Sequence, residues 1–143
     1  MSAVRPAIDG DLDAIARMLR AAALPTEDLD ASAIEFLVLE AAGRLVGAVG
    51  LERFGATGLL RSLVVDQAHR GGGRGAALVR ALERRARDAG IGELVLLTQT
   101  AEAFFEARGY AAIARDEAPA SVRASAEFRS LCPASAVCMR RRL

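Results

Sequence analysis

Four glycines within five residues, placed between an apolar run and a helical stretch, constrain this sequence more than any other feature. The segment VVDQAHRGGGRGAAL (residues 64–78) holds Gly71, Gly72, Gly73 and Gly75, together with Arg70 and Arg74. Glycine leaves successive backbone N–H groups uncovered, and a helix N-terminus directs such groups at an anion. Two guanidinium groups add donors that match phosphate geometry. The segment therefore predicts a strand, a loop and a helix that together bind a phosphate or pyrophosphate group.

Three other interpretations of the glycine-rich segment compete with this one. A phosphate-binding P-loop needs a lysine after its last glycine, and the sequence contains no lysine. The dinucleotide fingerprint G-x-G-x-x-G/A fits Gly71, Gly73 and Ala76, but five residues separate the apolar run from Gly71, where a dinucleotide fold turns at once. The next strand also ends in Thr98, with no carboxylate for a ribose hydroxyl. A plain flexible turn would need fewer glycines and no arginines.

The part of the chain before the glycines indicates helices followed by an antiparallel meander. The predicted elements are a strand near residues 3–5, a helix capped by Asp9 or Asp11, a short helix over residues 27–32, and two strands joined at Ala42-Gly43. The run "LLRSLVV" (residues 59–65) is almost entirely apolar, which is typical of a central strand.

The part after the glycines alternates helices and strands, which makes the chain α+β. The predicted elements are a helix over residues 73–89 ended by Gly90, a strand "ELVLLT", a helix in "AEAFFEARGY" ended by Gly109, a strand from Tyr110, an irregular stretch over 117–133, and a last strand "AVCMRRR". The long helix is amphipathic. Its predicted inner residues are Leu78, Ala81, Leu82 and Ala86, and its predicted solvent-facing residues are Arg80, Glu83, Arg84 and Arg87.

Length, charge and composition narrow the class of protein. A chain of 143 residues fits a single domain over residues 1–143, and a formal net charge of +1 gives no argument for a nucleic-acid partner. The sequence offers no secretory signal and no apolar run long enough to span a bilayer, so we expect a cytoplasmic protein that does not bind membranes. One histidine and two cysteines, outside any zinc spacing, predict no metal site. Cys132 and Cys138 are then expected to be reduced thiols.

Two motifs resemble the GNAT superfamily of N-acetyltransferases. Arg70, Gly73 and Gly75 match its acetyl-CoA signature R-x-x-G-x-G after a strand ending "LVV", and "AEAFFEARGY" is similar to its pattern A-x-x-F-Y-x-x-x-G-F/Y. The resemblance covers nearly the whole chain. It implies a mixed, mostly antiparallel sheet of about 6–7 strands flanked by about 4 helices, with a splayed strand pair that holds acetyl-CoA. The run "LLRSLVV" and residues 118–139 further resemble a branch associated with arsenic resistance.

The resemblance implies a set of residues that contact acetyl-CoA. Backbone groups of the first splayed strand would pair with the pantetheine arm, a backbone N–H near Val65 would stabilise the developing oxyanion, and the glycine loop would bind the pyrophosphate. The residues implied are Leu63, Val64, Val65, Arg70, Gly71, Gly72, Gly73, Arg74, Gly75, Ala76, Thr98 and, on the cofactor arm, Phe104 or Phe105.

The sequence departs from the family pattern at the proton-transfer positions. Phe105 stands where many members have a tyrosine that protonates the departing thiolate, and phenylalanine donates no proton. Leu59 and Leu60 stand where many members have a glutamate that deprotonates the amine. Glu52, at the end of the preceding strand, is therefore the candidate base, acting through water. A CoA thiol, with a pKa near about 8.5, can leave as a thiolate without an acid.

Arg61 and Ser62 are the candidate acceptor-binding residues, because their strand forms the acceptor floor in the family. Arg61 interrupts an apolar strand and is either a clamp for an acceptor carboxylate or the partner of Glu52 in an ion pair. The clamp predicts a small, anionic, amino-acid-like acceptor, with Arg123 and Arg129 as further anion donors. His69 is expected to be structural.

A second class of function stays open, since the usual acid and base are missing. A CoA-bound sensor without turnover could use Cys132 and Cys138 as thiolate ligands for trivalent arsenic. The expected oligomeric state is a monomer or a homodimer.

Overall fold

Residues 2–143 are described by a computed structural model, in which seven strands form one sheet in the order β1-β2-β3-β4-β5-β7-β6. The strands are β1 (Ser2–Pro6), β2 (Ile34–Ala41), β3 (Arg44–Phe54), β4 (Thr57–Val65), β5 (Glu93–Thr98), β6 (Ala111–Ile113) and β7 (Val137–Arg142). The helices are α1 (Leu12–Ala21), α2 (Arg74–Asp88), α3 (Glu102–Glu106) and α4 (Ala120–Arg123), with a one-turn π-helix at Glu127–Leu131. Only β4 and β5 pair in parallel, so the predicted mixed, mostly antiparallel sheet is confirmed.

The two faces of the sheet bury different helices. One face packs α2 against residues such as Leu60 and Leu94, which form the largest apolar cluster with Leu78 and Leu82 of the helix. The opposite face packs α1 at the β2–β4 end of the sheet. At the β5–β7 end of that same opposite face, Val122 of α4 joins a third cluster. We call these the α2 face and the α1 face.

β4 and β5 separate after a short paired stretch. They pair only from Thr57–Glu93 to Leu59–Val95, although β4 continues to Val65. The backbone groups of β4 that face β5 beyond this point therefore have no strand partner. A wedge-shaped gap opens between the carboxyl ends of the two strands, as the resemblance implied.

A β-bulge interrupts β4 beside this gap. Ala48 of β3 pairs with Val64 and Gly50 pairs with Arg61, so one residue of β3 faces two of β4. Ser62 lies in the left-handed region with φ +57°, a conformation that costs a non-glycine residue energy. Bulges of this kind redirect side chains and are frequent next to active sites.

The structure corrects three predictions from the sequence. Residues 27–32 form turns instead of a helix, because the Asp28 side chain binds the Ser32 hydroxyl and the sheet. Residues 117–133 are more ordered than predicted, because α4 and the π-helix bury Val122 and Phe128 against the sheet. Glu83 does not face water: it is 4% exposed and accepts hydrogen bonds from Tyr110 and Arg141.

None of the helices in the described part of the chain has the length and apolar character needed to cross a membrane.

Candidate active site

The glycine loop presents a row of free backbone donors at the start of α2. Gly71 and Gly73 adopt φ values of +87° and +76°, which side chains rarely tolerate, and Gly73 is the N-cap of α2. Within residues 2–143, the amide N–H groups of residues 71–76 donate to no backbone carbonyl or side chain. Free N–H groups at the positive end of a 15-residue helix form a site for an anion such as pyrophosphate.

The two arginines of the loop brace it from the side. Arg70 donates through Nε to the carbonyl of Val65 at 2.9 Å, and Arg74 donates through Nη1 to the carbonyl of His69 at 3.0 Å. A Cβ at Gly72 would lie 2.6 Å from Nη1 of Arg74, so a glycine there leaves room for this guanidinium. The arginines therefore hold the loop in shape, which leaves the backbone N–H groups as the donors available to an anion.

Phe104 and Phe105, the two candidates for contact with the cofactor arm, have different surroundings. Phe104 is half-buried, and its ring lies 3.4 Å from where a Cβ of Gly75 would stand, with the Arg108 guanidinium stacked 3.7 Å above its centre. Phe105 is 4% exposed and packs edge-on to Tyr110 in the core. Of the two phenylalanines, Phe104 is therefore the one placed to contact a cofactor arm.

The remaining predicted gap residues contribute mainly backbone. Leu63 and Val65 pack toward the α2 face, whereas Val64 is buried on the α1 face. Thr98 ends β5 and accepts a hydrogen bond through Oγ1 from the amide of Ala101, which starts the turn into α3. Their side chains therefore hold the two strands in place, and the backbone groups of β4 that face away from β3 border the gap.

Arg61 lies at the centre of a buried cluster of carboxylates on the α1 face. It donates to both carboxylate oxygens of Asp28, at 2.6 and 2.7 Å, and to Oε1 of Glu52 at 2.8 Å. Its Nε donates to Oγ of Ser62 at 3.2 Å, and Oε1 of Glu127 is 3.9 Å from that Nε. All five residues are less than a tenth exposed. We call Asp28, Glu52, Arg61 and Glu127 the acid cluster.

The acid cluster favours one of the two roles that the sequence left open for Arg61. Four of the five N–H groups of Arg61 are directed at Asp28, Glu52 and Ser62. The ion pair with Glu52 is therefore present, and the guanidinium has no free pair of donors with which to clamp an acceptor carboxylate. The predicted base Glu52 likewise already accepts a hydrogen bond from Arg61. Sequence analysis missed Asp28 and Glu127, whose only signal was that a buried arginine requires carboxylate partners.

The carboxyl groups of the acid cluster differ in their protonation. Burial raises the pKa of Asp28, but hydrogen bonds from Arg61 and Ser32 outweigh it and hold that pKa below its ordinary value. The pKa of Glu127 is raised to about 7, mainly by burial. Arg61 lowers this pKa, but the negative charges of Glu52 and Asp28 oppose that effect. Near neutral pH, Asp28 is therefore ionised while Glu127 exchanges a proton.

We predict that Glu127 makes stability fall as the pH rises. Its pKa is about 7 in the folded chain against an ordinary 4.5, so the folded state binds more protons across that window. Glu127→Gln removes this titration and should gain about 2.5 kcal/mol relative to the wild type between pH 5 and pH 8. Urea unfolding at pH 5 and pH 8 measures the difference. If the two proteins differed in the free energy of unfolding by the same amount at both pH values, the prediction would be contradicted.

The other acid and thiol groups fit structural roles. Tyr110 is the chain's only tyrosine, and burial together with the Glu83 carboxylate raises its pKa far above the ordinary value, so it donates no proton during a reaction. Burial raises the pKa of Cys132 to about 12 and that of Cys138 to about 11, which keeps both thiols protonated.

Within residues 2–143 no group of three or more His, Cys, Asp or Glu side chains could hold a metal ion. His69 contacts Asp66 at 3.2 Å beside the loop.

Residues 10–110 match the model of the acetyltransferase (GNAT) family, and the chain therefore belongs to that family. No curated protein sequence matches the chain.

Solved structures of known proteins share this fold. The chain is similar to N-acetylglutamate synthase from Neisseria gonorrhoeae complexed with coenzyme A and N-acetyl-glutamate, at 27% identity and a TM-score of 0.87, covering 100% of this chain and 35% of that one. It thus spans about a third of the length of the synthase. It is also similar to Rv2747 from Mycobacterium tuberculosis in complex with CoA and NLQ, at 26% identity and a TM-score of 0.77, covering 99% of both chains. A GNAT acetyltransferase from Staphylococcus aureus Mu50 shares the fold at 16% identity and a TM-score of 0.83, covering 100% of this chain and 99% of that one.

Proposed function

We propose that the protein is an acetyl-CoA-dependent N-acetyltransferase that acetylates the amine of a small molecule. The observation that carries the proposal is the row of free N–H groups at residues 71–76 beside the gap between β4 and β5. Coenzyme A has a pyrophosphate for the first feature and an amide-bearing arm for the second. Family membership and the CoA-bound relatives support the same assignment.

The residues present fit acetyl-CoA as the cosubstrate, which supplies the activated acetyl group. The glycine loop would hold the pyrophosphate, and the unpaired backbone of residues 60–65 would hold the arm. A backbone N–H near Val65 would stabilise the oxyanion. The buried Tyr110 and Phe105 offer no acid, so we propose that the thiol leaves as a thiolate, its pKa being near about 8.5.

The evidence for the chemical class of the acceptor differs from the evidence for acetyl-CoA. The N-acetyl-glutamate bound to the Neisseria synthase supports an amino-acid-like acceptor with an acid group. The Arg61 clamp does not support it, because Asp28 and Glu52 occupy that guanidinium. Arg123 also donates through Nε to the carbonyl of Ala118, at 3.1 Å, while Arg129 is exposed. We therefore propose an amino-acid acceptor on the strength of the relative alone.

The remaining expectations stay predictions. These are a single domain over residues 1–143, a cytoplasmic monomer or homodimer, and a role in arsenic resistance. The alternative of an arsenic sensor loses support from the thiols, since protonated Cys132 and buried Cys138 are poor thiolate ligands.

Free CoA release measures the proposed activity. The purified protein is incubated with acetyl-CoA and, separately, L-glutamate, L-glutamine, other L-amino acids, ethanolamine and arsenical amino acids, and the acetylated product is identified by mass. Transfer to at least one amine supports the proposal. Tight CoA binding by calorimetry without product from any amine would contradict it and favour a CoA-bound sensor.

A further inference from the structure

Glu127 has a buried carboxyl group, one oxygen of which has no hydrogen-bond partner. It is 4% exposed, and its Oε2 is the only buried side-chain oxygen in residues 2–143 without a hydrogen-bond partner. A buried carboxylate without a partner is costly, so native proteins rarely keep one without a use. The free oxygen therefore points to a donor that binds there from outside the chain.

The charge around Glu127 indicates a cation. The acid cluster has three carboxylates and one guanidinium, and that guanidinium is turned toward Asp28 and Glu52. Arg61 Nε is 3.9 Å from the nearer oxygen of Glu127, too far for a hydrogen bond. The Cys132 thiol also acts on Glu127, as a weak hydrogen-bond donor that lowers the pKa of the carboxyl group without adding a positive charge. The cluster thus has an excess of negative charge.

Glu127 lies beside the point where β4 and β5 separate. Its neighbour Phe128 joins Leu59 and Val95 in one apolar cluster, and Leu59–Val95 is the last pair before the gap. Arg61 links the cluster to the bulge residue Ser62, directly before the unpaired part of β4. The acid cluster is therefore on the α1 face of the gap, opposite α2 and its anion-binding loop.

We propose that Glu127 binds the ammonium group of the acceptor through Oε2 and removes a proton from it before acetyl transfer, which rests on the function proposed above. The ammonium supplies the positive charge that the acid cluster lacks. Glu52, the base predicted from the sequence, is less suited because Arg61 holds it at 2.8 Å. A pKa near 7 lets Glu127 accept the proton at neutral pH.

The proton and electron balance of the step is complete without a further reactant. The ammonium R–NH3⁺ gives one proton to the Glu127 carboxylate, and its lone pair then attacks the thioester carbon. The C–N bond forms, the C–S bond breaks, and CoA leaves as a thiolate. The thiolate takes the second proton from nitrogen, which leaves the neutral amide, and Glu127 returns its proton to solvent.

Steady-state kinetics of Glu127→Gln test the proposal. With L-glutamate, or with ethanolamine if L-glutamate is not a substrate, kcat/KM for the amine should fall about 100-fold, while KM for acetyl-CoA stays unchanged. The acid limb near pH 7 should disappear from the pH profile, and Glu127→Asp should recover part of the rate. The exposed Glu106→Gln variant is the matched control and should behave as the wild type. A loss below about tenfold in Glu127→Gln, or an unchanged acid limb, would overturn the proposal.

A binding measurement separates this inference from the proposed function. Methylammonium chloride at pH 8 should raise the Tm of the wild type by about 3 °C over an equal concentration of sodium chloride, and should not raise that of Glu127→Gln. If the wild type acetylates no amine, the proposed function fails while this shift still decides whether Glu127 binds ammonium. The same shift in both proteins would overturn the ammonium site.

Discussion

Arg61→Met should destabilise the fold by about 3–5 kcal/mol, the usual cost of removing one partner of a buried ion pair. The change leaves Asp28, Glu52 and Glu127 buried at less than a tenth exposed with no cation among them. The loss should be larger at pH 8 than at pH 5, because the carboxyl groups can take up protons at low pH and so relieve their repulsion. Urea unfolding at both pH values measures it.

A surface ion pair provides the matched control for this result. Arg53 pairs with Glu35 at 2.9 Å, but the Arg53 side chain is 44% exposed. Arg53→Met should therefore cost less than about 1 kcal/mol. If Arg61→Met proved as mild as Arg53→Met, the buried cluster would not hold together as described, and Arg61 would again be a candidate clamp for the acceptor.

Gly73→Glu should weaken CoA binding about 100-fold, or about 2.7 kcal/mol, in calorimetric titration. Gly73 is the N-cap of α2 with φ +76°, so a side chain there strains the loop that aligns the free N–H groups. The added carboxylate also repels the pyrophosphate at the positive end of the helix.

Two glycine variants separate strain from charge at this site. Gly73→Ala introduces the strain without the charge and should cause a smaller loss of CoA affinity. Gly10→Glu adds the same charge where a Cβ meets nothing within 4 Å, and should leave CoA affinity unchanged. An unchanged Kd for Gly73→Glu would remove the glycine loop from the cofactor site.

The parts of the fold that could be predicted from sequence are those that local chemistry determines. The glycine loop, the apolar run of β4 and the amphipathic period of α2 each carry their signal within a short segment. Glu83 was misplaced on the solvent face of α2, because the partners that bury it, Tyr110 and Arg141, come from distant parts of the chain.

The acid cluster could not be predicted for the same physical reason. Asp28 sits in a segment with helical composition, but its carboxylate binds Arg61 of the sheet, and this long-range contact outweighs local helix propensity. Glu127 lies on a one-turn π-helix, which has no periodic pattern to detect. The sequence did locate Arg61 and Glu52, since a charge in an apolar strand requires a partner.

The bulge at Ser62 changes which side chains of β4 share a face. In a regular strand, Arg61, Leu63 and Val65 would all point the same way. With the extra residue, Arg61 and Val64 lie on the α1 face, while Leu63 and Val65 turn to the α2 face. Straightening the strand with Ser62 still in it would turn Leu63, Val64 and Val65 each to the opposite face, whereas deleting Ser62 would remove the bulge and leave all three on their present faces. The bulge therefore absorbs one residue of β4, so that the strand keeps Arg61 buried on the α1 face while Leu63 and Val65 still support α2.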